Sequence, residues 1–141
     1  VLEPITLAFL GFGQTVTGMD YARANNTLQS LAIAVGQFMQ RFDVILAPTL
    51  AAPPLALSRI NLTPDCDFQQ WGRRVSVFSP FAQMANLTGQ PSMSVPLAQS
   101  NSGLPIGVMF TGRFGEEALL YRLAGQLEQA APWFKRRPPQ T

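Results

Sequence analysis

The chain has 141 residues, 13% of them charged and 47% hydrophobic, with a formal net charge of +2. Seven arginines are scattered and only Lys135, Arg136 and Arg137 crowd together, so the continuous basic face of a nucleic-acid binder is not expected. No run approaches the ~18 apolar residues of a membrane-spanning helix, and with no histidine any imidazole-based mechanism is excluded within the chain.

Charge is what this composition lacks, since an ordinary globular domain carries about 25%. The shortage predicts a fold whose outside is partly covered by more chain or by a partner, and the start at Val1 fits a fragment or a processed product. The single Cys66 rules out an internal disulfide and agrees with a cytoplasmic setting.

Gly11-Phe12-Gly13 resembles the start of a dinucleotide loop, but Val16 stands where the third glycine belongs. Thr17-Gly18-Met19-Asp20 fits a capping box. Behind it Leu28, Leu31, Val35, Phe38 and Phe42 recur at spacings of three and four, the stripe of a long helix that reads as core packing. Asp43–Ala47 reads as a short buried strand, stopped by Pro48. From 48 to 74 the periodicity dissolves around Pro48, Pro53, Pro54 and Pro64, and loops of that length inside a compact domain commonly serve a site.

Ser79-Pro80 reads as an N-cap with proline at the first helical position, and Gly89 closes the short helix that follows. Ser92–Val95 and Ile106–Phe110 read as two strands joined through Asn101-Ser102-Gly103, an antiparallel hairpin. Residues 116 to 130 form a last helix with Leu119, Leu120, Leu123, Ala124 and Leu127 on its buried side, ended by Pro132. The fold class is α/β, a mixed sheet covered by helices, and residues 1–141 make a single, partial domain.

Groups able to do chemistry are few. Asp65-Cys66-Asp67 and Glu116/Glu117 are poor metal ligands without a histidine, so neither metal nor cofactor is expected. Cys66 is flanked by two carboxylates, which raise a thiol's pKa rather than lower it. Lys135, the only lysine, stands in a proline-flanked basic tail, a place for a solvated charge rather than a catalytic base. No self-sufficient active site is legible.

Several motifs carry a resemblance. Asp43-Val44-Ile45-Leu46-Ala47-Pro48-Thr49, followed by Pro53-Pro54, looks like the D-x-x-x-x-P-T segment late in amidase signature enzymes. Phe81–Pro96, with Asn86, Gly89 and Pro91 in place, is similar to that family's N-x-x-G-x-P run. Gly103-Leu104-Pro105-Ile106-Gly107-Val108 resembles its GLPIGV hairpin. Gly112-Arg113 and the stretch through Pro132-Trp133 resemble its closing helix and ending.

The resemblance implies the carboxy-terminal third of an enzyme that hydrolyses carboxylic amides through a serine, a second serine in a cis peptide and a lysine. Those three belong to the amino-terminal half and have no matching position here. By resemblance this third completes the sheet, and Phe81, Met84 and Asn86 line the substrate cleft. Asn86, Gly89 and Pro91 read first as a structural turn, with Asn86 bonding backbone and Gly89 at positive φ. The implied partners are the amino-terminal part of the same enzyme and a small amide, with no nucleic acid or membrane, and the piece alone is expected to self-associate. Two other readings remain: a stand-alone association module on the same scaffold, and part of the A subunit of a tRNA-dependent amidotransferase, which would want a wider basic surface.

Overall fold

The computed structural model describes residues 2–61 and 67–137; Pro64, Asp65 and Cys66 lie outside the described residues. Among the described residues five helices, α1 (Pro4–Gly13), α2 (Gly18–Met39), α3 (Phe68–Phe78), α4 (Ala82–Thr88) and α5 (Glu117–Ala130), accompany three strands, β1 (Val44–Pro48), β2 (Ser92–Gln99) and β3 (Pro105–Gly112). The strands form one antiparallel sheet in the order β1-β3-β2.

Alternation along the strands explains the core. Met93 stands opposite Phe110 and Val95 opposite Val108, so these four apolar side chains share one face. The stripe of α5 covers that face: Val95, Phe110 and Leu120 form its buried centre, with Leu123, Leu127 and Trp133 packed against it. Burying a side chain such as Leu120 contributes about 2 kcal/mol. The register of β2 shifts between Val95 and Ala98, where Pro96 offers no N–H to the ladder, and Leu97 still packs on the core.

At the start of α2 the capping box forms as the spacing requires, with the Thr17 side chain accepting from the Asp20 N–H and Asp20 accepting from the Thr17 N–H. Asp20 is held below its ordinary pKa by the hydrogen bond from the Thr17 hydroxyl and then by that from the Thr17 backbone.

Four expectations need correction. The stripe on α2 is not core within this chain, because Leu31, Phe38 and Phe42 are exposed (39, 51 and 43%) and Met39 is the buried residue of the helix. α2 packs on α4, and nothing in the described chain covers the rest of its apolar face. The expected loop over 48–74 ends at Asp67, whose side chain caps α3 by accepting from the Gln70 N–H; the polar pairs Gln69-Gln70 and Arg73-Arg74 on either side of Trp71-Gly72 obscured the helical period. Ser79 does not begin α4: it is the C-cap of α3, and α4 starts behind Phe81 with no side-chain cap. The strand expected over Asp43–Ala47 is β1, which ends at Pro48 as expected, but it is an edge strand and not buried, with Leu46 64% exposed.

α1 was not anticipated. Its signals were Pro4 in the first turn and an apolar run in which Phe9 meets Phe68 of α3 edge-on at 4.7 Å and Phe12 meets it tilted at 5.4 Å, while Phe9 also meets the Trp71 ring at 6.0 Å. The Trp71 indole N–H donates to the Ile60 carbonyl at 2.8 Å.

Candidate functional site

A concave surface lies where β1 runs out. Thr49 follows β1, and its N–H donates to the Gly107 carbonyl of β3 at 2.9 Å. Its hydroxyl lies 2.6 Å from that of Ser94 on β2. The two hydroxyls meet over Gly107, where an added Cβ would lie 2.6 Å from each oxygen. Glycine is therefore required for this pair to close, a case of backbone approach that no other residue permits. A second pair, Ser92 of β2 with Thr111 of β3 at 2.7 Å, lies further along the hairpin.

Beyond Thr49 the loop turns back on α3, with the Ala51 N–H donating to the Phe78 carbonyl at 3.0 Å. Two adjoining cavities result. One, of about 350 Å³, lies between Thr49, Leu50, Pro53, Pro105 and Gly107. The other, of about 580 Å³, lies between Leu55, Ile60, Val77 and Phe78, with Gln70, Arg73 and Arg74 at its polar side. Ala51 and Ala52 line both. Apolar walls with a few polar groups suit binding of a small molecule.

The residues singled out from the sequence are distributed unevenly. Phe81, the N-cap of α4, and Met84, one turn further on, are half-buried, whereas Asn86 is exposed and, two residues from Met84, faces away from it. The Asn86 side chain has no hydrogen-bond partner among the described residues, so the expected backbone bond is not made. Neither cavity is lined by these three. Gly89 takes φ +77 as the left-handed cap of α4. Pro91 offers its carbonyl to the Gly112 N–H at 2.9 Å, Gly103 turns the hairpin at φ +79, and Pro105 opens β3 opposite Gln99. The Arg73–Phe78 wall was missed, because the helix that presents it was read partly as loop.

Asp43 takes part in a distinct junction. Arg113, just after β3, pairs with Asp43 at 2.7 Å and donates from Nε to the Met39 and Phe42 carbonyls at 3.2 and 3.1 Å. One side chain thus reaches the Met39 carbonyl, which also accepts from the Phe42 N–H, and the Phe42 carbonyl just past α2, and so fixes where β1 begins.

Comparison with known proteins places this geometry. The family model described as Amidase matches residues 3–121. The putative amidase AmiB2 of Mycobacterium bovis is 49% identical over 142 residues, covering 97% of this chain and 29% of that protein. The 6-aminohexanoate-cyclic-dimer hydrolase of Paenarthrobacter ureafaciens is 33% identical over 130 residues, with 87% and 26% covered. A solved structure of 6-aminohexanoate cyclic dimer hydrolase superposes with a TM-score of 0.82 at 30% identity, covering 97% of this chain and 29% of that one. The chain thus spans under a third of the length of these relatives. A three-stranded sheet covered by α5, with a family match over 119 of its 141 positions (3 to 121), leads to one conclusion: the chain belongs to the amidase family.

Proposed function

We propose that this chain is the carboxy-terminal, non-catalytic segment of an enzyme hydrolysing carboxylic amide C–N bonds, and that it supplies sheet strands and one wall of the substrate cleft. On this reading the serine–cis-serine–lysine group comes from an amino-terminal part, which is the chain's principal partner, and the setting is cytoplasmic. The observation that carries the reading is the amount of surface left open. The accessible area is 10565 Å², against about 7,200 Å² for a compact monomer of this mass on the usual size scaling. Among the open residues are the apolar Leu31, Ile33 and Phe38 of α2, a surface suited to association. The two cavities at Thr49 and Phe78 form the wall that a small amide would meet.

The test is amide hydrolysis over a panel of small alkyl and aryl amides, with this chain, its upstream coding segment, and the two together. Activity is expected only when the upstream segment is present. Hydrolysis by the 141 residues alone would sink the proposal. Light scattering on the isolated chain should show self-association, and a clean monomer at all concentrations would refute that part.

A further inference from the structure

A third cavity, of about 340 Å³, opens between the β2–β3 hairpin and the segment that follows α5. Pro96, Leu104 and Trp133 give it apolar walls, and Gln99, Arg136 and Arg137 stand around it. Trp133 is half-buried and anchored on the Val95–Phe110–Leu120 core, so one wall is fixed by the fold itself. Arg136 is positioned too, its Nη1 donating to the Pro96 carbonyl at 3.1 Å, while the Arg137 guanidinium lies 6.0 Å from the Phe134 ring centroid. Neither arginine has a carboxylate partner among the described residues, whose one ion pair is Arg113–Asp43. Among the described residues, two cations thus share a small cavity with an indole and no anion.

The geometry points to a binding site for a planar organic carboxylate with a single-ring apolar body. A guanidinium presents paired N–H donors in a plane that matches a carboxylate. Trp133 and Leu104 offer the flat apolar surface that a ring would cover. The volume is at the small end of ligand sites, which fits one ring rather than an extended molecule. Both arginines are exposed, so water screens the charge pairing and half-saturation on the order of 1 mM is expected.

The experiment titrates the full 141-residue chain with benzoate and follows the indole N–H signal of Trp133 by nitrogen-15 NMR, the signal being identified by its loss in Trp133→Phe. Saturable shifts are expected, with benzamide and acetate each weaker by roughly tenfold or more, since the first lacks the charge and the second the ring. Arg137→Gln and Arg136→Gln should each weaken benzoate severalfold. Equal binding of benzamide would overturn the site as an anion site, and equal binding of acetate would reduce it to charge alone. Phenyl phosphate binding more than about tenfold tighter than benzoate would reassign it to phosphate. No saturable shift with benzoate would remove it altogether. The ligand comparison uses the unaltered chain and stands even where an arginine substitution disturbs the fold.

Discussion

Arg113 and Asp43, 70 residues apart in sequence, meet at 2.7 Å and join the end of β3 to the turn between α2 and β1. The same guanidinium serves the Met39 and Phe42 carbonyls, so its contribution lies as much in those bonds as in the ion pair. The side chains are 41% and 80% exposed, which leaves the pair itself worth little. Arg113→Gln is expected to destabilise the chain by about 1–2 kcal/mol, and Asp43→Asn by less than about 0.5 kcal/mol. Urea denaturation of both variants checks the order, and equal losses would mean that the carbonyl bonds contribute nothing.

Gly107→Ala should destabilise by roughly 1–3 kcal/mol, the usual range for forcing an atom into occupied space. The new Cβ would press on the Thr49 and Ser94 hydroxyls at 2.6 Å and part β1 from β2 over β3. Ser94→Ala, which only breaks the hydroxyl pair, should cost about 1 kcal/mol or less. A Gly107→Ala chain with an unchanged urea midpoint would contradict the close approach.

At Gly89 the backbone itself is the constraint. Its φ of +77 lies in the left-handed region, and an added Cβ would sit 3.3 Å from the Phe114 ring. Gly89→Ala should cost about 1–2 kcal/mol, and Gly89→Asn less, since asparagine tolerates that conformation better. Thermal melting of the two variants gives the ranking, and alanine equal to or better than asparagine would refute it.

Asp20 carries a pH dependence with a defined sign. Its folded pKa is lowered by the Thr17 hydroxyl and backbone bonds, so its stabilisation of α2 is fully present above the unfolded value of about 3.9 and is lost as pH falls through the folded value. Asp20→Asn should therefore differ from the parent chain at pH 7 and converge with it in strong acid. Urea midpoints at the two pH values test this, and a difference that persists or grows in acid would overturn the assignment.

Local chemistry was legible wherever a short stretch of sequence fixes the structure by itself. The Thr17–Asp20 box, the left-handed Gly89, the hairpin across Gly103 and the stripe of α5 all depend on residues within a turn or two of each other. The order of motifs along the chain was equally a matter of sequence, and with it the resemblance to amidases. Legibility failed where a distant segment decides. Phe68 and Trp71 make sense as part of a helix once Phe9 and Phe12 are seen packed against Phe68. Periodicity marks Leu31 and Phe38 as apolar but not whether anything covers them. The closure of Thr49 on Ser94 over Gly107 joins the end of β1 to the β2–β3 hairpin, with the two hydroxyl partners 45 positions apart, and the gathering of Trp133, Arg136 and Pro96 into one cavity joins a tail to a strand. Hydrogen bonds and packing between remote segments form only once the whole chain is arranged, so these sites belong to the tertiary structure alone.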